Sequence, residues 1–340
     1  MKKFKELNLK IVEKYKFFAP VALAIIIIGV ILMCTIGMNI GLDFAGGSKI
    51  TVNFTLSFNS ELKDEAKNAI IEEVKRNGFK IGNERWADSD TEGVIYEIGI
   101  EYDKKINEVD AEYQNEFLAK IQGTEDNSYE DGLTYKIAQV VKTYDSEFEK
   151  ENCEAVIVGS STARKLLKTA IIAASIAVVA MLVYIAFRFT LASGLAAILC
   201  LCHDVLIMFT LTTIFRVQVN TTFIAAVITI IGYSINATIV IFDRIRELRK
   251  QPSLSDFSDA EIANKAISNT LGRTIITTAT TLVTILTLFI VCEIMNVSAM
   301  GEFALPIIFG LIAGTYSSVF LASSTWVFFK KLGAKMKRSK

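Results

Sequence analysis

Six long apolar runs constrain what this 340-residue chain can fold into more than any other feature. The hydrocarbon core of a bilayer is about 30 Å thick, so a helix that crosses it needs about 20 apolar residues. Each run is near that length, and 52% of all residues are hydrophobic. The sequence therefore predicts a polytopic α-helical membrane protein with six transmembrane helices. The runs cover residues 17–38, 166–187, 191–215, 221–242, 274–292 and 303–329.

Basic residues near the ends of these runs indicate the orientation of the chain. Lys and Arg in short flanking segments tend to remain cytoplasmic, and they concentrate in the N-terminal tail, the loop 243–273 and the tail 331–340. We therefore expect a multi-pass protein of the inner (cytoplasmic) membrane with both termini and that loop in the cytoplasm. The first run follows a basic leader, as in a signal peptide, but it is too long and lacks a small-residue cleavage site. We interpret residues 1–40 as a tail with an uncleaved anchor, and residues 164–330 as a bundle of five further helices.

Residues 41–163 separate the first two runs and would then lie outside the cytoplasm. They hold 26 acidic and 13 basic residues, and this negative balance argues against nucleic acid as a partner. Strand-like alternation and amphipathic stretches predict an α+β domain of order βαββαβ, a ferredoxin-like sandwich with an extra strand or insertion near residues 124–150. The predicted strands are 49–55, 79–86, 94–101, 135–141 and 153–158, and the predicted helices are 60–77 and 109–121.

Two ionisable residues, His203 and Asp204, lie near the centre of the third run. Each costs about 2.5 to 3.5 kcal/mol to insert, so each is a candidate functional residue. Adjacent residues on a helix point about 100° apart, so both face the bundle interior only if that interior covers a broad arc. Two interpretations remain open: a buried pair that stabilises packing, and a pair that handles protons.

Neither an active site nor a metal site is predicted. Cys200 and Cys202, beside the ionisable pair, point about 200° apart on a helix, so one ion cannot reach both. The chain has a single His, and the acidic residues of 41–163 are spread like those of a solvated surface. We therefore expect no enzymatic activity and no cofactor.

The fourth run carries an unusually polar stretch. Gly232 and Ser234 permit close approach of helices, and Asn236 can form a hydrogen bond across an interface. Asp243 falls on the same face as Asn236, two turns further along. Arg273 opens the fifth run. A functional role for Asp243 and Arg273 has an alternative, which is that the two residues form an ion pair that only stabilises the structure.

The fifth and sixth runs each have one distinctive face. Threonines follow Arg273 at helical spacing and form a polar stripe that ends in a cation. In the sixth run, Gly310 and Gly314 are four residues apart and predict a small-residue packing face. The threonines of the stripe are Thr277, Thr280, Thr281 and Thr284.

Several motifs together resemble those of the SecF branch of the SecD/SecF family, within the resistance-nodulation-division superfamily. The most specific is the block 232–247, Gly-Tyr-Ser-Ile-Asn-Ala-Thr-Ile-Val-Ile-Phe-Asp-Arg-Ile-Arg-Glu. The resemblance covers nearly the whole chain. The other matching positions are Gly41, Asp43, Gly46 and Gly47 after the first run, Gly159 before the second, His203 and Asp204, Arg273, and residues 314–318.

The resemblance implies a six-helix subunit of the bacterial Sec protein translocase, with its external domain between helices 1 and 2. It implies SecD and the SecYEG channel as partners, with SecA and YidC, and an unfolded exported polypeptide as the client. It also implies use of the proton or sodium motive force. A half-transporter of lipids or drugs is an alternative in the same superfamily, although such chains usually have twelve spans and two large outer domains.

Ala237 departs from the family pattern. Members of the family usually carry an aspartate there, which the resemblance implies would hold the coupling ion, whereas alanine neither accepts a proton nor binds sodium. Asp204, Asp243 or a carboxylate from SecD could replace it. The other alternative is a passive assembly subunit without ion coupling of its own. Arg273 matches the family's transmembrane arginine.

Overall fold

The computed structural model describes residues 10–88, 94–103, 108–123, 132–295 and 298–338. The basic tail predicted at residues 1–9 and part of the insertion predicted near 124–150 lie outside these ranges. The helices and strands follow one another as α1 (Tyr15–Thr35), α2 (Leu42–Ala45), β1 (Gly47–Asn53), α3 (Lys63–Arg76), β2 (Lys80–Asp88), β3 (Val94–Glu101), α4 (Ala111–Gln122), α5 (Leu133–Val141), β4 (Cys153–Val158), α6 (Ser160–Arg188), α7 (Leu191–Ile214), α8 (Thr221–Arg249), α9 (Asp259–Ile294), α10 (Ser298–Tyr316) and α11 (Ser323–Arg338).

Six helical segments within the described ranges are long and apolar enough to cross a membrane, as the apolar runs predict. They are α1, α6, α7, α8, α9 and the pair α10–α11. A π-helical segment of 6 residues, Ser317–Ala322, joins the last two helices into one continuous span.

The membrane helices pack through small residues and turn apolar side chains outwards. A Cβ added at Gly29 of α1 would lie 1.8 Å from Thr210 Oγ1 of α7. A Cβ added at Gly310 of α10 would lie 2.5 Å from Ile230 Cγ1 of α8. Such close approach is how helices associate where lipid supplies no hydrophobic driving force. Outward side chains such as Phe187, which is 88% exposed, suit a surface that faces lipid.

The connection between α8 and α9 is shorter than the predicted loop 243–273. Both helices extend into that stretch, so only residues 250–258 connect them. A capping box starts α9: Ser258 Oγ accepts from Glu261 N at 3.3 Å, and Glu261 Oε2 accepts from Ser258 N at 2.7 Å. The prediction of a long loop was wrong because an apolar run ends where lipid ends, whereas a helix continues to its cap.

The described residues between α1 and α6 fold as a four-stranded antiparallel sheet with three longer helices, α3, α4 and α5. The strand order is β2-β3-β1-β4, and Ile50 of β1 lies opposite Ile98 of β3 and Ala155 of β4. Alternate residues of β1 and β3 share one apolar core with the inner faces of the three helices. The first, second, third and last predicted strands and both predicted helices lie close to their predicted bounds.

The predicted strand at residues 135–141 is instead part of α5. Its buried residues Leu133, Ile137 and Val141 recur every four positions, which is the period of a helix face and not of a strand. The prediction was wrong because apolar residues in so short a stretch satisfy both periods. Residues 132–152 contain no strand: α5 is followed by turns and one short 3-10 turn at Lys150–Asn152.

Candidate functional site

A buried carboxylate lies at the centre of the membrane bundle. Asp204 of α7 is 0% exposed and accepts hydrogen bonds from Ser234 Oγ of α8 and, at 2.8 Å, from Ser317 Oγ of the π-helical segment. His203 Nδ1 lies 2.8 Å from the other carboxylate oxygen, and His203 is itself buried. Both ionisable residues therefore face the interior. A charged group without partners would be very unfavourable there, so these contacts account for its presence.

His203 connects the carboxylate to α1. Its ring stacks on Tyr316 of α10, with ring centroids 5.9 Å apart and an interplanar angle of 24°. The hydroxyl of Tyr316 in turn donates to the Phe18 carbonyl oxygen of α1 at 2.9 Å. A chain of direct contacts therefore links Asp204 to α1, α7, α8 and α10.

The π-helical segment brings the second serine to the carboxylate. A π turn holds an extra residue, which changes where the following side chains point, and such turns are frequent at functional sites. Ser317 opens the segment and is completely buried. Gly314, one turn earlier, lies against the same carboxylate, since a Cβ there would be in ordinary contact at 3.5 Å from Asp204 Oδ2. Sequence reasoning identified only a packing face here, because helical spacing does not reveal a π turn.

Gly232 and Asn236 lie on an open face of α8. Both residues are exposed, and no described atom outside α8 lies within 4 Å of a Cβ added at Gly232. Ser234, between them, is 2% exposed and points into the bundle. Within the described part of this chain, the close approach predicted at Gly232 is therefore not made.

Arg273 does not pair with Asp243. Arg188, at the end of α6, contacts that carboxylate instead, with Nη2 2.6 Å from Asp243 Oδ2. The predicted alternative was wrong because sequence spacing does not reveal which neighbouring helix supplies the cation. Arg273 is exposed on α9 and has no ion-pair partner among the described residues. Each threonine of the stripe donates to a carbonyl of its own helix, and among the described residues none of them bonds to a neighbouring helix. The threonines are Thr277, Thr280, Thr281 and Thr284.

Asp43 attaches the chain entering the sheet to the start of α8. Its Oδ2 accepts from Thr221 N at 3.1 Å and from Thr221 Oγ1 at 2.6 Å. Two residues earlier, Gly41 N donates to Val219 O at 2.9 Å. A carboxylate at a helix N-terminus also interacts favourably with the helix dipole. The segment 41–47 therefore holds the α+β region against the α7–α8 connection.

Three further glycines of the motifs have a backbone conformation or a close neighbour that disfavours a side chain. Gly46 and Gly47 have φ values of 70° and 135°, which glycine adopts far more readily than other residues. A Cβ at Gly47 would lie 2.1 Å from Ile100 O of β3, and one at Gly159 would lie 2.8 Å from Gln114 Nε2 of α4. These glycines let the chain enter β1 and leave for α6 close to its neighbours.

A polar junction joins the sheet to α10. Lys49 and Arg85 both contact Glu97, and Arg85 Nη1 lies 3.8 Å from Glu302 Oε1 of α10. Glu302 also accepts from Asn220 Nδ2 at 2.6 Å. Burial by itself would raise the pKa of Glu97, but hydrogen bonds from Lys49 and Arg85 outweigh it and hold that pKa below its usual value. Sequence reasoning missed this junction, because strand alternation indicates a polar face without naming its partner.

Comparison with known proteins agrees with the motifs. The family model described as protein export membrane protein SecD/SecF, C-terminal, matches residues 136–332, which is more than half of the chain. The chain belongs to the SecD/SecF family. The resemblance drawn from the motifs is thereby confirmed, and the matched residues include five of the six membrane-spanning segments.

Relatives in the SecD/SecF family are similar over nearly the whole chain. The chain is 32% identical to SecF of Calditerrivibrio nitroreducens over 96% of its own length and 95% of that protein. It is 30% identical to SecDF of Bacillus subtilis over 94% of its length, but spans only 38% of that protein. The crystal structure of SecDF from Thermus thermophilus, a translocon-associated membrane protein, matches with a TM-score of 0.70 at 25% identity, over 96% of this chain and 39% of that one.

Position 237, where the resemblance implies an aspartate, lies on the same helix as one of the serines that contact Asp204. Ala237 is partly exposed on α8, three residues after Ser234. About one helical turn therefore separates Ala237 from the residue whose hydroxyl donates to Asp204. The carboxylate of Asp204 itself comes from the neighbouring helix α7.

Proposed function

We propose that this chain is a SecF-type subunit of the bacterial Sec translocase. It has no enzymatic role and assists the export of unfolded polypeptides together with SecD, beside the SecYEG channel and its partners SecA and YidC. The SecDF relatives support the association with SecD, because in them a segment similar to this chain forms 38% of one longer polypeptide.

The α+β region is the outer, ferredoxin-like domain that engages the emerging polypeptide. Its strand order, with α3 between β1 and β2 and two helices between β3 and β4, supports the ferredoxin-like assignment. The basic residues at the opposite end of the bundle support a cytoplasmic location for both termini in the inner membrane.

Cysteine labelling tests this orientation. Lys75 of α3 and Ser255 of the α8–α9 connection are both exposed. A membrane-impermeant maleimide added to intact cells should label Lys75→Cys, and should label Ser255→Cys only after permeabilisation; the opposite pattern would invert the topology. Both labelling variants are made with Cys34→Ser and Cys202→Ser, because these two native cysteines are exposed. Cys153 does not interfere, because burial raises the pKa of its thiol to about 12 and keeps the reactive thiolate scarce.

Ion coupling resides at Asp204, and one observation carries this: a completely buried carboxylate is held by side chains from two other segments of the bundle. Uptake of a proton or sodium ion cancels its charge and weakens its attraction for Ser234 and Ser317. The packing of α7 against α8 and α10 then shifts between two states and moves the outer domain. One charge moved through 100 mV supplies about 2.3 kcal/mol, enough to shift such an equilibrium about fifty-fold.

Replacing the carboxylate by an isosteric amide tests the coupling. Asp204→Asn keeps an acceptor oxygen for the two serines but cannot titrate. In proteoliposomes with SecD, SecYEG and SecA, this variant should export at the rate seen without an ion gradient, whether or not a gradient is imposed. Asp243→Asn is the matched control, since Asp243 pairs with Arg188 at the membrane edge, and it should retain stimulation by the gradient.

The two variants also separate the alternatives. If only Asp243→Asn lost the stimulation of export by the ion gradient, Asp243 and not Asp204 would be the coupling residue. Full stimulation in both variants would favour a passive assembly subunit, which the alanine at position 237 supports. In that case SecD would supply the coupling carboxylate.

The open face of α8 and Arg273 of α9 face the SecD helices. Gly232 and Asn236 have no partner within the described chain, and neither does Arg273, although all three lie in or at the end of apolar runs. Polar groups in a membrane normally find partners in protein and not in lipid. A carboxylate from SecD is the complementary group for Arg273.

A further inference from the structure

A large cavity opens at the end of the bundle opposite the α+β region. It has a volume of about 1060 Å³ and lies between the ends of α6, α7, α8 and α11. Its inner wall is apolar: Phe189 and Phe242 pack edge to face with centroids 5.8 Å apart, and Trp326 lies beside them, 5% exposed. At its mouth, Phe187 and Leu191 are 88% and 82% exposed.

The same cavity has a surplus of positive charge. Arg188 is neutralised by Asp243, and Arg249 and Lys330 share the single carboxylate of Asp259. Two further lining cations have no ion-pair partner among the described residues. Three positive charges are therefore left uncompensated beside an apolar wall. The five lining cations are Arg188, Arg246, Arg249, Lys250 and Lys330.

We propose that this cavity binds one anionic phospholipid from the adjacent leaflet. The phosphate of the headgroup lies against Arg246 and Lys250, and the upper acyl chains cover Phe187 and Leu191. The charges select the occupant, because the surplus attracts an anionic headgroup and repels the ammonium group of a zwitterionic one. The apolar wall excludes a soluble phosphate compound as the main ligand, since it would leave exposed aromatic and aliphatic surface uncovered. The cavity also lies where the apolar runs end, which is the depth of lipid headgroups.

The test uses the full-length protein in nanodiscs and compares binding of phosphatidylglycerol with that of phosphatidylcholine, for example by native mass spectrometry after lipid exchange. The wild-type protein should prefer phosphatidylglycerol. Each lost cation near a membrane surface weakens this preference about five-fold, so Arg246→Gln combined with Lys250→Gln should reduce it about thirty-fold. The conservative pair Arg246→Lys and Lys250→Arg should restore it and controls for misfolding.

The matched control is Lys331→Gln combined with Lys335→Gln. Both lysines are exposed on α11 at the same end of the bundle but do not line the cavity. This double variant removes two positive charges, as Arg246→Gln combined with Lys250→Gln does. This control should keep the preference. An equal loss in the control, or no preference in the wild type, would overturn the proposal, because attraction would then be a property of the whole surface. Displacement of the lipid by excess inorganic phosphate would also overturn it and identify a phosphate site instead.

Discussion

The α+β region and the membrane bundle bury opposite kinds of side chain. In the α+β region, the core residues Ile50 and Ile98 are 0% exposed, as a water-soluble fold requires. In the bundle, Asp204 is 0% exposed whereas Phe187 is 88% exposed. Water drives apolar side chains inwards, but lipid does not, so a bundle in lipid is free to place polar groups at its centre. Candidate functional groups are therefore expected in the interior of the bundle and on the surface of the α+β region.

Two buried aspartates make this comparison specific. Asp145 of the α+β region is 1% exposed and accepts from Thr55 N at 2.8 Å, from Thr55 Oγ1 at 2.7 Å and from Ser57 Oγ at 3.2 Å. These bonds tie the segment after β1 to the segment after α5 within one domain. Asp204 instead joins three separate segments of the membrane bundle, α7, α8 and the π-helical segment. We infer a structural role for Asp145, whereas the role proposed for Asp204 is in switching.

Removing Asp145 should have the largest effect on stability. Asp145→Ala removes the carboxylate that accepts from the partly buried Thr55 N–H and from the hydroxyls of Thr55 and Ser57. The free energy of unfolding of the α+β region should therefore fall by about 3 kcal/mol. Denaturant titration followed by the fluorescence of Trp86, which packs in this region, measures the loss. Asp64→Ala, at an exposed site on α3, is the control. An equal loss in Asp204→Asn would remove the distinction between the two aspartates.

Glycine substitutions in α10 test the packing of the bundle. Gly310→Ala places a methyl group 2.5 Å from Ile230 Cγ1 and should lower stability in detergent by about 2 kcal/mol, because the neighbouring side chain must shift. Gly314→Ala reaches ordinary contact at 3.5 Å and should cost less than about 1 kcal/mol. Thermal unfolding followed by Trp326 fluorescence compares them. Gly333→Ala has open space around it and serves as the baseline, and equal losses at positions 310 and 314 would contradict the packing described.

Placing a large side chain on the open face of α8 should weaken assembly with SecD without affecting the folding of this chain. Gly232→Leu meets no described neighbour in this chain, so the isolated protein should unfold at an unchanged temperature. Co-purification with SecD should fall about tenfold, because a bulky side chain prevents close approach of two helices. Gly333→Leu, also in open space, should leave the complex intact. Undiminished SecD recovery with Gly232→Leu would exclude this face from the interface.

Removing a charge from the polar junction should have the smallest effect on stability. The effect should appear as a change in how the free energy of unfolding depends on pH. Because the pKa of Glu97 is lowered in the folded chain, its ion pairs stabilise the fold above the ordinary glutamate pKa of about 4.3. This contribution is lost as the pH falls through the lowered value. Glu97→Gln should flatten the acid limb of the stability curve by less than about 1 kcal/mol, since the site is partly screened. Glu154→Gln, at an exposed site, should leave the curve unchanged.

The outline of both regions was predictable because burial leaves a local pattern. A run of about 20 apolar residues is rare in a water-soluble fold and indicates a membrane helix. Alternation of apolar and polar residues along a strand identifies its buried face. The helical state of α5 was not predictable, because apolar residues in a short stretch fit a strand and a helix equally. Nor were the ends of the α8–α9 connection, because the helices continue past the lipid to their caps.

The sequence by itself also identified Asp204 and His203 as exceptional, since charge at the centre of an apolar run is conspicuous without any structure. Only the tertiary structure decided their partners. Ser234 and Ser317 lie 30 and 113 residues away from Asp204, and the π turn that orients Ser317 has no signature in helical spacing. The physical reason is that solvation acts on each residue separately, whereas a hydrogen bond between helices depends on how each helix is rotated about its axis. Helix rotation is set by all the packing contacts together.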